Sequence, residues 1–345
     1  MDRVLEIGGY GAGYAGRLFV RAGADVVRIE QETPDPAWVS SEAMAHYLHA
    51  GKRRLATSDK SLIAELAAAS DVVICQAAGA DALDALGYKR WPVPVCASIT
   101  PFGATGPKRN WRATPSVLYA MGGYTFLMGD PDRAPLTLPG HYLEFQAGAL
   151  AYAAIGACLF RRNDGVSRAP ERIDIGMFET LMALSQFTTV RWHCAGEIRT
   201  RHGSDFHFVV PSQLFRCADG WAYVNIVPQF WDPCTVFLER PELALDDRFA
   251  TNDARMAHRD ELHALIAEAL AEVPVSEIET RAAACRVPVG VVRDFDQVLA
   301  EPHLTERGFW EDQATPQGHV RVPGLPFRFD DEPRPSLSLA DVERV

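Results

Sequence analysis

The first thirty residues constrain the fold most. Residues 3–7 (RVLEI) form a short apolar run that predicts a buried strand. A glycine-rich turn over 8–13 follows, and then a helix through Ala22. Gly23 ends that helix, and ADVVRIE (24–30) predicts a second strand. A strand, a helix and a strand in so short a span predict two parallel strands joined by a crossover. The alternation continues with a helix over 61–69 (SLIAELAAA) and strands at 71–75 (DVVIC) and 94–99 (PVCASI). Such a series predicts an α/β chain with a doubly wound parallel sheet.

Residues 101–140 are rich in Gly, Pro and Thr, which predicts an irregular functional segment with a short helix around Leu118–Gly122. An Ala-rich helix is predicted over 145–162, a brief strand at 173–175 and one helix over 176–194. The pattern changes after about residue 200. QLFRCADGWAYVNIV (213–227) predicts a hairpin turning at Ala-Asp-Gly. Helices at 231–238, 258–271, 275–285 and 294–300 and a strand at 289–292 complete a smaller α/β domain over 205–300. The length of 345 residues suits two domains, with a Rossmann-like large domain over 1–200. HVRVPGLPFRF, in the Pro-rich tail, predicts a strand pair.

Charge and cysteine usage exclude several classes. Lys and Arg number 34 against 45 Asp and Glu, a net charge of −11, which disfavours nucleic acid and anionic membrane surfaces as partners. The seven cysteines include no CxxC pair, so neither a zinc cluster nor a disulfide framework is expected, and no metal. No run of 18 apolar residues occurs, and the opening lacks a signal-peptide pattern, so a cytoplasmic protein is expected. The basic run Lys52, Arg53 and Arg54 is expected to be a solvated strand end.

One motif points to a nucleotide. Residues 11–16 spell Gly-Ala-Gly-Tyr-Ala-Gly, a GxGxxG between strand and helix, and Glu30 ends the next strand. Bare glycine backbone at a helix N-terminus lets a pyrophosphate approach, so a NAD-dependent oxidoreductase is one reading. Two further glycines, Gly8 and Gly9, lengthen the turn beyond that fingerprint, and the acid comes early.

A second reading draws on the whole chain. GYAGRLFVRAGADVVRIE (13–30), HAGKRRLATSDK (49–60), SDVVICQAAGADALDALGY (70–88), ASITPFGATGP (97–107) and LYAMGG (118–123) occur in order. ADGWAYVNI (218–226), DDRFATNDARMAHRDEL (246–262), VPVGVV (287–292) and FDQVLAEPHLTERGF (295–309) follow. This succession resembles the CaiB/BaiF family (family III) of CoA-transferases. The resemblance implies a Rossmann-like large domain, a smaller α/β domain and a return of 301–345 to the large domain. It also implies an interlocked homodimer acting on small-molecule acyl-CoA and carboxylic acid, with coenzyme A as substrate and no permanently bound cofactor.

The family's catalytic carboxylate lies just before the Ala-rich helix, and here that position is Glu144, where an Asp is usual. Leu143 replaces the preceding Gly. The resemblance implies CoA transfer through a glutamyl anhydride and an enzyme–CoA thioester at Glu144, with Gly11, Lys60, Gln76 and Arg112 as coenzyme A contacts. Gln76 stands where an Asn is common, Asp84 where a basic residue occurs, and Gly11 where some transferases have Gln. A family member with a weakened site that only binds CoA, and a racemase or isomerase, are the other readings. The family's racemases carry a second base where this chain has Ala113-Thr114-Pro115. His141, three residues before Glu144, is read as a solvated loop side chain that could substitute only in principle. The lid segment of the family corresponds to 201–211, which holds one glycine, Gly203.

Overall fold

The strand–helix–strand opening is present as β1 (Arg3–Ile7), α1 (Tyr10–Arg21) and β2 (Asp25–Glu30), with β1 and β2 parallel. In this computed structural model the described residues are 2–30, 42–166, 169–206, 208–315, 318–328 and 336–344. The chain continues through α2 (Glu42–His49), β3 (Arg53–Ala56), α3 (Lys60–Ala68), β4 (Val72–Gln76), α4 (Ala80–Leu86) and β5 (Val95–Thr100). Two short helices, α5 (Pro115–Met121) and α6 (Tyr124–Leu127), precede α7 (Tyr142–Asn163), β6 (Glu171–Gly176), α8 (Met177–Ala183) and α9 (Gln186–Ala195). After them come β7 (Ser212–Arg216), β8 (Trp221–Asn225), α10 (Trp231–Phe237), α11 (Asn252–Ala257), α12 (Arg259–Leu270), α13 (Val275–Cys285), β9 (Val289–Val291) and α14 (Phe295–Leu299). The C-terminal elements are α15 (Pro302–Glu306), β10 (Trp310–Thr315), β11 (Gly318–Pro323) and β12 (Val342–Arg344).

Two units share these elements. The first comprises Met1–Thr125, Thr137–Ile198 and Pro302–Val345. Its sheet is parallel throughout, in the order β12-β3-β2-β1-β4-β5-β6. The central strands β4 and β5 are buried along their whole length, as expected of a parallel sheet covered on both faces. Alternate residues serve opposite faces. Val4, Val72, Ile74 and Ala97 pack with α1 and α7, whereas Leu5, Val73, Cys75 and Cys96 pack with Ile63 of α3 and Leu83 of α4. The order reverses between β1 and β4, so a crevice opens beyond the C-terminal ends of those two strands. The second unit, Phe126–Leu136 and Arg199–Glu301, has the three-stranded antiparallel sheet β7-β8-β9. Phe215, Val224, Phe237, Leu262 and Ile278 form its core.

Local departures from the sequence reading have physical causes. Helix α1 starts at Tyr10 and takes in Gly11, Gly13 and Gly16, so only Gly8 and Gly9 make the turn. These helical glycines face protein. A Cβ on Gly148 of α7 would overlap the Gly11 carbonyl oxygen, and one on Gly11 would lie 2.9 Å from the Glu144 carbonyl oxygen. A Cβ on Gly16 would overlap the Glu6 carboxylate. Gly11 and Gly148 therefore let α1 and α7 touch backbone to backbone, while Gly16 leaves room for the Glu6 side chain. The helix predicted over 176–194 is two, α8 and α9, because Ser185 turns its hydroxyl back onto the Met182 carbonyl. The tail strand pair is β10 with β11, so only one of its strands lies in HVRVPGLPFRF. Residues 329–335 of the Pro-rich tail lie outside the described residues.

Burial also corrects the basic run. Lys52 is 1% exposed and donates to the Glu6 carboxylate and, at 2.8 Å, to the Gly13 carbonyl. Arg28 donates to the other Glu6 oxygen. Only Arg53 of the run is well exposed, paired with Asp25 at 2.7 Å. Arg17, also buried, donates to Glu311 at 3.0 Å and to the Pro323 carbonyl at 2.7 Å, which ties the β10–β11 hairpin to α1. All seven cysteines are free. Among the described residues one helix, α7, is long and apolar enough to cross a membrane by length and composition. Its stripe Leu143, Ala147, Ala151 and Ile155 is instead part of the core under the sheet.

Candidate active site

The crevice between β1 and β4 is where α7 delivers Glu144. Glu144 lies in the first turn of α7, 2% exposed, at a helix end whose dipole favours an anion. Gln76 is the last residue of β4 and is equally buried. Its Oε1 accepts from the Ala12 backbone N–H at 3.0 Å, and its Nε2 donates to Glu144 Oε1 at 3.2 Å. The Ala12 contact fixes which end of the amide faces the carboxylate. His141 sits at the N-cap position of α7 and places Nδ1 2.6 Å from Glu144 Oε2. His141 is therefore only partly solvated, against the expectation from sequence. Its i, i+3 spacing from an acid at a helix start was the available signal.

Aromatic rings line this corner. Tyr10, which opens α1, meets the His141 ring edge-on with centroids 4.1 Å apart. Phe145 lies 5.3 Å from Tyr14 and 6.0 Å from Tyr47, and the Arg17 guanidinium covers Tyr47 at 4.6 Å. Burial pushes the Tyr47 phenol up to about 12 and raises that of Tyr14, so both stay neutral at ordinary pH. Burial raises the Tyr119 phenol too, and the negative charge of Glu144 adds to that effect.

The structure thus brings Gly11, Gln76 and Glu144 together, with Lys60 farther along the edge of the sheet. Gly11 approaches Gln76 and Glu144 with its backbone. Lys60 is exposed at the start of α3, four residues past β3, at the same edge of the sheet as Gln76. Three strand spacings separate β3 from β4, about 14 Å. Arg112 is exposed next to Trp111, which is 52% exposed and has the Lys108 ammonium 3.5 Å above its ring. Trp111 had no sequence signal of its own, because only the fold leaves so large a ring uncovered. Asp84 is paired with Lys89 at 2.7 Å and Arg109 at 2.9 Å. Glu30, the acid of the apparent dinucleotide fingerprint, is paired with Arg28 at 3.1 Å and Arg54 at 2.9 Å. In 201–211, Gly203 donates to the Gly129 carbonyl at 3.0 Å, and His207 lies outside the described residues. Among the described residues, no cluster of His, Cys, Asp and Glu could hold a metal ion.

Known proteins give the chemical context. The profile of CoA-transferase family III matches residues 2–340. A succinyl-CoA–D-citramalate CoA-transferase of Chloroflexus aurantiacus is 28% identical, with 88% of this chain and 81% of the relative aligned. A succinate–glutarate CoA-transferase of Agrobacterium fabrum is 27% identical over 99% of this chain and 95% of its own. Among solved structures, a CaiB/BaiF family protein from Brucella suis superposes with a TM-score of 0.81 at 27% identity, covering 98% of this chain and 93% of that one. Rv3272 from Mycobacterium tuberculosis shares the fold, with a TM-score of 0.83 at 23% identity and coverage of 98% and 96%. With its seven-stranded parallel sheet and a match over nearly its full length, this chain belongs to CoA-transferase family III and is an enzyme of that family.

Proposed function

We propose that the protein moves coenzyme A from an acyl-CoA donor to a carboxylic acid, with Glu144 as nucleophile. The observation that carries this is a buried carboxylate, held through both oxygens, at the crevice where the strand order reverses. Glu144 attacks the thioester carbonyl, the C–S bond breaks, and CoA thiolate leaves a glutamyl–acyl anhydride. The thiolate then attacks the glutamyl carbonyl, releasing the first acid and leaving an enzyme–CoA thioester. An acceptor carboxylate repeats both steps in reverse and departs as its CoA ester. Backbone N–H groups at the start of α7 are suited to the developing oxyanion. Half-buried Lys108 and exposed Trp111 and Arg112 offer charge and a stacking face for the phosphates and adenine, and Lys60 further charge.

Racemisation would need bases on opposite faces of the reacting carbon, whereas His141 and Glu144 share one hydrogen bond. The glycines of the apparent dinucleotide fingerprint face protein: Gly11 the backbone of α7, Gly13 the side chains of α2 and Gly16 the Glu6 carboxylate. Coenzyme A is expected to raise the melting temperature and NAD to leave it unchanged. Incubation with a panel of acyl-CoAs followed by hydroxylamine should leave a hydroxamate on the peptide holding Glu144. A shift with NAD alone, or no adduct with any thioester that binds, would refute the reading.

The same reading includes a homodimer in the cytoplasm. Helix α9 has no buried residue and exposes Phe187, Val190 and Trp192, and α7 exposes Leu150 and Phe160. Apolar surface of this extent suits a partner subunit. Sedimentation equilibrium should return twice the chain mass of 38.0 kDa, and a monomer would count against the dimer.

A further inference from the structure

We propose that His141 is a positioning residue of the reaction, which locks Glu144 in its reacting orientation. The proposal rests on the reading of Glu144 as the reacting carboxylate. A glutamate has one more rotatable bond than the aspartate usual at this position, so its carboxylate needs more restraint to be held for attack. Gln76 and His141 supply it here, on opposite oxygens. Gln76 comes from the sheet, with its amide set by Ala12, and His141 from the helix start, with its ring set by the edge of Tyr10.

A separation of 2.6 Å between a ring nitrogen and a carboxylate oxygen requires a proton between them. With Glu144 ionised, as attack requires, Nδ1 carries it and donates to Oε2, a contact as short as a strong hydrogen bond. The arrangement is local, since His141 and Glu144 are one helical turn apart and the carbonyl of His141 accepts the first helical N–H, from Phe145, at 3.0 Å. A carboxylate drawn back by one C–C bond, about 1.5 Å, would lose reach to both donors. The clamp is thus matched to glutamate, and the shorter acid is the wrong one for this chain.

The test compares His141→Ala, His141→Asn and Glu144→Asp in the full-length protein, with any donor that labels Glu144. Asparagine places an N–H near the position of Nδ1 but cannot relay a proton. His141→Ala should lower kcat about 10- to 100-fold, with KM for the acyl-CoA within about 3-fold of wild type. His141→Asn should recover most of that loss. Glu144→Asp should fall at least about 10-fold, and adding His141→Ala to it should cost little more. A wild-type kcat in His141→Ala would overturn the proposal. So would His141→Asn as slow as His141→Ala, which would mean proton transfer, or a rise of KM alone.

A second readout does not depend on turnover. With 15N-labelled histidine, the His141 Nδ1–H should give a downfield resonance that disappears in Glu144→Gln. Its absence from the wild type would overturn the clamp. Its presence in a protein that labels with no donor would leave the clamp standing and remove the nucleophile reading instead.

Discussion

Glu144→Gln is expected to lower kcat at least about 10³-fold and to abolish the hydroxamate, while coenzyme A still raises the melting temperature. An amide has nearly the shape of the carboxylate, and its carbonyl can still accept from Gln76 Nε2. It cannot act as the anionic nucleophile, so the anhydride does not form and the covalent route is closed. Losses of this size are normal when a nucleophile that acts as one unit with its partners is removed. The binding readout separates chemistry from folding. Residual turnover near the wild-type level would show that the carboxylate is not the nucleophile. Loss of the coenzyme A shift together with turnover would mean instead that the variant has lost its fold.

Glu6→Gln is expected to destabilise the protein by about 3–5 kcal/mol, the cost of leaving buried cations without their counter-charge. Glu6 is fully buried on β1, holds Arg28 and Lys52 directly, and lies 3.9 Å from His49 Nδ1. Glutamine fills the same volume, so the loss is electrostatic rather than a cavity. Burial already lowers the Lys52 ammonium to about 8, with the Glu6 charge opposing that fall. Removing Glu6 lets it fall further. The unfolded chain, with Lys52 near its usual 10.5, then binds more protons than the folded variant over a wider range below pH 8. The variant's stability therefore climbs relative to wild type across that window, and its deficit narrows as pH approaches 8. Urea midpoints at two pH values read both effects. A deficit below about 1 kcal/mol at neutral pH would show that water reaches the cluster.

The cluster also shows where sequence reading stops. RVLEI read correctly as a buried strand, but nothing in five residues says that its one acid meets Lys52, which is 46 positions away. A basic run looks solvated until the sheet order puts β3 beside β2, and β2 beside β1. His141 was misjudged for a similar reason. Its distance from Glu144 along the chain was visible, but its contact with Tyr10 depends on α7 crossing α1. The GxGxxG run misled in the opposite direction, because glycine serves close helix packing as well as it serves a phosphate.

The kind of fold and the family are legible in the residue order, through the alternation of strands and helices and the ordered motifs along the chain. These are local properties, carried by periodicity and by short runs of neighbours. Glu144 was pointed to by the resemblance to that family and not by its own surroundings in the sequence. What surrounds the Glu144 carboxylate emerges only on folding. Gln76, Ala12 and His141 come from a strand end, a helix start and a helix cap, and they meet because the strand order reverses between β1 and β4 and because Gly11 and Gly148 let two helices touch. Contacts between residues 64 and 68 positions apart have no signature in either segment alone.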